Sequence, residues 1–229
     1  MKLFKKLGLM LLMLVMVMVA QAQQSAAVPY EAAIKGDKAA FAQLKTLGNK
    51  GHIVAQFALG FMYERGEGVP KDSAQAVAWY RKSAEQGNAR GQSNLGAMYA
   101  RGDGVPKDAV QAVFWYRKSA EQGYAWGQSK LGNMYANGNG VPKDAVQAVF
   151  WYRKSAEQGN AWGQNSLGAM YENGNGVPKD LVIAYMWQHL AAYQGYETAK
   201  RAREALGKIM TSAQIAEAQR LSYEWEPKP

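Results

Sequence analysis

Gly104-Val105-Pro106-Lys107-Asp108 recurs as Gly68–Asp72, Gly140–Asp144 and Gly176–Asp180, at a constant step of 36 residues. A fixed period of this size marks stacked supersecondary units, none of which can bury its apolar face alone. It decides the architecture before any local argument. Residues 104–123 and 140–159 are identical over twenty positions. The stretches before them, 88–103 and 124–139, differ at six: Asn88/Tyr124, Arg90/Trp126, Asn94/Lys130, Ala97/Asn133, Arg101/Asn137 and Asp103/Asn139. The middle four pairs are spaced by 4, 3 and 4 residues, which is one stripe of a helix. The chain duplicated a unit, kept its packing residues and changed one face.

Working outward, four units cover residues 52–87, 88–123, 124–159 and 160–195, and each reads as two antiparallel helices. In the second unit helix A runs from about Ala89 to Ala100 and helix B from about Ala109 to Gln122. Between them, the glycines of the turn supply backbone freedom and Pro106 blocks helix continuation. Asp72, Asp108 and Asp144 are N-caps with Gln75, Gln111 and Gln147 as expected capping-box partners. Asp180 has Ile183 there, so the fourth unit is expected to lose the second half of the box. Gly87, Gly123, Gly159 and Gly195 end the B helices. Helix A repeats Leu-Gly-x-Met-Tyr at Leu59, Leu95, Leu131 and Leu167, where the glycine lets a neighbouring helix approach. Helix B repeats Ala76, Trp79 and Ala84, and this small–large alternation is core. The ends differ, as terminal units of an array must. Residues 23–51 cap the front, with Tyr30–Leu47 as a degenerate hairpin broken at Gly36-Asp37. Residues 196–229 close the back, with helices over Thr198–Met210 and Ala213–Trp225 and a capping box at Thr211/Gln214. In the last B helix Arg-Lys-Ser becomes His189-Leu190-Ala191, as expected if the closing helices cover that face.

Residues 1–22 read as a signal peptide: Lys2, Lys5 and Lys6, then the apolar run Leu7–Ala20, then the small-x-small site Ala20-Gln21-Ala22. A membrane anchor is the competing reading, but it needs roughly 20 apolar residues and the run has about 14. After cleavage no transmembrane span is expected. The chain carries 27 Lys+Arg against 18 Asp+Glu; without the three leader lysines the balance is 24 against 18, a net +6. That excess is moderate, and export argues against nucleic acid as the partner. With no cysteine, disulfide frameworks and thiolate metal sites are excluded, so stability must come from helix packing.

The pattern Ala/Gly-x-x-x-Leu-Gly-x-Met-Tyr-x-x-Gly-x-Gly-Val-x-x-Asp-x-x-x-Ala-x-x-Trp-Tyr-x-x-Ser-Ala-x-x-Gly stands most cleanly as Ala125–Gly159. It resembles the Sel-1-like repeat, a subclass of the tetratricopeptide-like α-solenoids, over all four units. Thr211–Trp225 is similar to the end helix of bacterial members. The resemblance implies an all-α, right-handed superhelical solenoid of helix hairpins, with helix A on the concave side. It implies a non-catalytic adaptor or scaffold for protein–protein interaction. Some exported relatives are cysteine-rich; nothing of that branch carries over to a chain without cysteine.

In the family's register a groove is lined by helix A residues five, two and one before the Leu, and two, five and six after it. These are Val54, Phe57, Ala58, Phe61, Glu64 and Arg65 in the first unit, and Arg90, Ser93, Asn94, Ala97, Ala100 and Arg101 in the second. They are Trp126, Ser129, Lys130, Asn133, Ala136 and Asn137 in the third, and Trp162, Asn165, Ser166, Ala169, Glu172 and Asn173 in the fourth. The stripe that diverged between the second and third units falls inside this set. Drift of any solvated face explains divergence too, but Trp126 and Trp162, one period apart, are costly to leave bare without a use. Arg90, Arg101 and Lys130 make the centre basic, and Asn94, Asn133, Asn137, Asn165 and Asn173 offer amides. Such a floor suits an extended protein segment, acidic or polar. The alternative is a glycan or peptidoglycan binder, because Trp and Asn also suit sugars. A second surface, the Arg-Lys pairs 81–82, 117–118 and 153–154 along helix B, reads as a solvated face paired with Glu85, Glu121 and Glu157, rather than a ridge for anionic lipid.

Catalytic chemistry is not expected. The two histidines, His52 and His189, are three units apart, roughly 30 Å at about 10 Å per step, too far to share a metal. The Gly-Asn-Gly turns lack the Lys-Ser/Thr of a phosphate loop, and no nucleophile or zinc motif occurs. No cofactor and no metal is expected. The whole reads as a scaffold in the periplasm of a Gram-negative bacterium, with secretion outside the cell as the alternative.

Overall fold

The computed structural model describes residues 29–227, so the leader expected at 1–22 lies outside the described residues. Among them all regular structure is helical: α1 (29–34), α2 (Lys38–Asn49), α3 (Ile53–Arg65), α4 (Ser73–Glu85), α5 (Ala89–Arg101), α6 (Ala109–Glu121), α7 (Ala125–Asn137), α8 (Ala145–Glu157), α9 (Ala161–Asn173), α10 (Leu181–Tyr193), α11 (Glu197–Gly207) and α12 (Ser212–Glu224). The A helices α3, α5, α7 and α9 and the B helices α4, α6, α8 and α10 each start 36 residues apart. No described helix is long and apolar enough to cross a membrane. The described residues divide into two compact units, 29–91 with Asp103–Pro106, and Gln92–Gly102 with 107–227.

In the first unit α3 packs on α2 and α4 around Ala33, Leu44, Leu59, Met62 and Trp79. The degenerate hairpin is α1 and α2, separated by Asp37, whose carboxylate accepts from the N–H groups of Ala39 and Ala40 at 2.8 and 3.0 Å. In the second unit α6 packs on α7, α7 on α8, α8 on α9 and α9 on α10. Its core gathers Val149, Tyr152, Leu167, Met170, Met186 and Trp187.

The closeness of each hairpin comes from one glycine. A Cβ on Gly132 would lie 2.8 Å from the Tyr152 ring of the paired helix, and Gly60 and Gly96 stand in the same relation to Tyr80 and Tyr116. In the fourth hairpin Gln188 takes the place of the tyrosine against Gly168.

The aspartate caps form as half-boxes. The Asp72, Asp108 and Asp144 carboxylates accept from the backbone N–H of Gln75, Gln111 and Gln147 at 3.0 Å. The second half of the expected box is replaced. Each aspartate's own N–H donates to the helix A tyrosine carbonyl, Tyr63, Tyr99 and Tyr135 at 2.9, 2.9 and 3.0 Å, and Asp180 does the same with Tyr171. A glutamine side chain therefore has no donor to reach for in any hairpin, and the fourth is no exception. The full box is at Thr211 and Gln214.

A second repeated device is polar and buried. Gln56, Gln92, Gln128 and Gln164 of the A helices accept from Gln86, Gln122, Gln158 and Gln194 at the end of their own B helix, at 2.6 to 2.9 Å. Gln128 and Gln164 also donate to Ala120 and Ala156, the carbonyls that end the preceding B helix, both at 3.3 Å. Gln128 and Gln164 thus each tie two B-helix ends to one A helix, using groups that would otherwise be left unpaired. Gln128→Leu is expected to lower stability by about 2 kcal/mol, read as a shifted urea midpoint with unchanged slope.

At the back, α10 packs against both α11 and α12. Trp225 meets Trp187 edge-on at 5.9 Å, and Ser222 lies buried under the Met186 carbonyl. His189 stands where the other B helices carry arginine, between the Tyr185 and Tyr223 rings at 6.1 and 6.4 Å. Its Nδ1 is buried without a partner. Burial, helped by the Arg203 guanidinium, holds its pKa below the ordinary 6.5. The folded state therefore resists protonation that the unfolded chain accepts. Stability from this contact is complete above the unfolded value and is lost as pH falls through it. Hydrogen exchange in α12, corrected for its intrinsic pH dependence, is expected to speed up from pH 7.5 to pH 5.5, and His189→Gln should flatten that response.

Candidate partner-binding face

Most of the expected groove residues keep part of their surface exposed on the A helices. In the first compact unit Val54, Phe57 and Phe61 are half-buried, while Arg65 and Arg90 are exposed. The Phe57 ring lies 5.8 Å from Tyr80 and 6.4 Å from Phe61, and the Arg65 guanidinium stands 5.1 Å above the Phe61 ring. In the second compact unit Asn94, Ala97, Lys130, Asn133, Trp162, Asn165 and Ser166 are half-buried, and Arg101, Trp126, Asn137 and Asn173 are exposed. Three register positions are corrected: Ala58, Ser93 and Ser129 are buried and line nothing. They sit at the edge of the stripe, where a small side chain sinks between helices.

The centre of the face in the second compact unit is a stack of one lysine against two mutually tilted indoles. Trp126 on α7 and Trp162 on α9 stand one period apart, and their rings are 6.0 Å apart at 49°. Lys130, one turn after Trp126, places its ammonium 4.1 Å from both ring centres. Trp126 stays 36% exposed, so the indoles are not sealed in the core. A cation held over two ring faces is worth about 1–2 kcal/mol where it is partly desolvated. Burial and the nearby Arg101 guanidinium together push the Lys130 pKa down. Partial burial and the like charge of Arg101 both disfavour the charged form of Lys130, and a carboxylate beside its ammonium would favour it.

Beneath the stack lies Tyr152 of α8, edge-on to Trp162 at 6.1 Å. Burial raises its pKa, and hydrogen bonds to Asn133 and Ser166 oppose that rise. Tyr116 of α6 is similarly raised, to about 12, by burial against the opposing pull of Arg101. Neither phenol ionises near neutral pH, so the floor is neutral and the charge belongs to Lys130 and Arg101. The asparagines are less free than their composition suggests. Asn137 and Asn173 each donate to the backbone carbonyl one turn back, Asn133 and Ala169, at 2.9 and 2.8 Å. Each keeps its side-chain oxygen and its second N–H for a partner. Tyr152 is not among the expected groove residues, and its contact with Asn133 and Ser166 adds it to the floor of the face.

Along the B helices, Arg117 and Arg153 donate to the hydroxyls of Tyr135 and Tyr171 at 2.9 and 2.6 Å. Lys82 stands 4.1 Å over the Trp79 ring. Among the described residues no group of His, Asp or Glu is placed to hold a metal ion.

The Sel1 repeat model matches residues 53–88, 89–124, 127–160 and 163–196. The chain belongs to the Sel1 repeat family. Two solved structures extend this. A protective antigen of uropathogenic Escherichia coli strains, with an SLR fold, is 34% identical at a TM-score of 0.74, over 89% of this chain and 48% of that one. A Sel1 repeat protein from Oxalobacter formigenes is 30% identical at a TM-score of 0.74, over 91% of this chain and 89% of that one. The chain thus spans about half the length of the first and most of the second. An immunity protein of Pseudomonas aeruginosa, 20% identical over 87% of this chain and 83% of its own, at a TM-score of 0.52, shares the fold alone. A comparison with curated proteins gives no match. This Sel1 repeat chain is therefore an all-α solenoid of helix hairpins, a fold that generally serves as a protein–protein interaction scaffold.

Proposed function

We propose that this Sel1 repeat chain is a non-catalytic scaffold of the bacterial periplasm that holds an acidic or polar segment of a partner protein on the outward face of its A helices. The observation that carries the reading is the Lys130 ammonium, held 4.1 Å from both the Trp126 and Trp162 rings with Arg101 beside it. A carboxylate meets the Lys130 ammonium there, and its flanking apolar groups meet indole faces. Asn137 and Asn173, each held by one N–H on its own helix, offer a side-chain oxygen and a second N–H to the backbone of an extended segment. The basic balance of the chain favours acidic partners at long range. The leader-like stretch at residues 1–22 supports export.

Intrinsic tryptophan emission separates this reading from glycan binding. Muropeptides and chitin oligosaccharides are expected to leave the emission unchanged up to millimolar concentration. A saturable shift that disappears in Trp126→Phe/Trp162→Phe would transfer the face to a sugar ligand.

A further inference from the structure

The same helix positions are covered in one hairpin and bare in two others. On α10, Val182 and Met186 lie beneath the closing helices, and Met186 is only 7% exposed. One period back, on α8, those positions are Val146 and Phe150, 64% and 47% exposed. Two periods back, on α6, they are Val110 and Phe114, 64% and 46% exposed. On α4 they are Ala74 and Ala78, which offer almost no apolar area. The bare stripe is therefore confined to α6 and α8. Its rings are positioned rather than loose: Phe114 rests edge-on to Trp115 at 4.9 Å and Phe150 to Trp151 at 5.0 Å.

The covered helix shows how such a stripe is used and what must change in the occupant. On α10 the next turn is His189-Leu190. Tyr223 of α12 meets His189, and Leu221 packs with Leu190 on one apolar cluster. On α8 and α6 the corresponding residues are Arg153-Lys154 and Arg117-Lys118. The lysines stand 5.2 and 5.0 Å over the Phe150 and Phe114 rings, and the arginines are held by neutral tyrosine hydroxyls. The cations therefore remain at the place where α12 offers Leu221 and Tyr223. A helix seated there as α12 sits on α10 needs carboxylates at those positions.

We propose that the outward face of α6 and α8 is a second docking surface, which takes an acidic amphipathic helix of a partner protein as α10 takes α12. A second copy of this chain fits worse, because it would oppose Arg117, Lys118, Arg153 and Lys154 with the same residues. The surface is separate from the Trp126–Lys130–Trp162 stack, and it stands or falls without it.

The probe is a fluorescein-labelled peptide of residues 211–225 carrying Leu221→Glu and Tyr223→Glu, titrated into the full chain and followed by anisotropy. Saturable binding is expected, weakened at least tenfold by Phe114→Ser/Phe150→Ser. These positions are exposed, and circular dichroism checks that the variant is folded. Trp126→Ala/Trp162→Ala should bind the probe as the parent does. Three results overturn the proposal. One is no saturation up to millimolar peptide. Another is equal binding of the unsubstituted 211–225 peptide, which would make the face merely apolar. The third is flotation with phosphatidylglycerol–phosphatidylethanolamine vesicles, or sedimentation as a dimer, that the Phe114→Ser/Phe150→Ser change abolishes while the peptide fails to bind.

Discussion

Gly140→Ala is expected to cost about 3 kcal/mol of stability, several times what the same change costs at Gly123. Both glycines have positive φ, +69° and +84°, so alanine is strained at either by about 1 kcal/mol. The difference lies in the space. A Cβ at Gly123 meets nothing within 4 Å, whereas at Gly140 it runs into the backbone of Ala109 and Val110, the first turn of the preceding B helix. Backbone cannot turn aside as a side chain can, so the turn and α6 must separate. Urea unfolding of the two variants measures this directly. Equal midpoints would mean that the turn does not rest on α6.

Replacing Trp126 and Trp162 together by alanine is expected to weaken partner capture at least a hundredfold, while the chain stays folded. Two aromatic anchors at the centre of an interface are worth about 3 kcal/mol together. The Trp162 ring is half-buried against Tyr152, so its loss also lowers stability by about 2 kcal/mol, short of unfolding a repeat array. Lys130→Met separates ring from charge. It keeps an unbranched side chain beside the indoles and removes the ammonium, so capture should fall about tenfold and lose much of its salt dependence. Unchanged capture in the double variant would place the partner elsewhere.

The period of 36 residues made the hairpins, their turns and their order legible, because every unit repeats the same local choices. Asp108 before Ala109 and Gly123 after the helix are both local rules, and both were readable as such. The stripe with Trp126 and Trp162 was readable as one face for the same reason. What local rules could not reach was competition between elements. The Asp108 N–H is taken by Tyr99 of the facing helix, so the capping box stays half made. Ser93 sinks where Asn94 stays half-buried, because the burial boundary runs between adjacent residues and side-chain size decides the side. Lys130 folds over two rings only because α9 brings Trp162 within its reach. The glutamine ladder did leave a trace in the sequence. Gln56, Gln92, Gln128 and Gln164 recur in the helix A register among apolar neighbours, and a polar residue repeated inside a core stripe marks a bond between elements.

The most direct test of the partner-binding face is a photo-crosslinking residue at Asn137, introduced into the full chain in its native cell and read by mass spectrometry. Adducts are expected with a protein whose crosslinked segment is rich in Asp and Glu, and Lys130→Glu is expected to remove them. Adducts with glycan alone, or protein adducts that Lys130→Glu leaves at full yield, would contradict it.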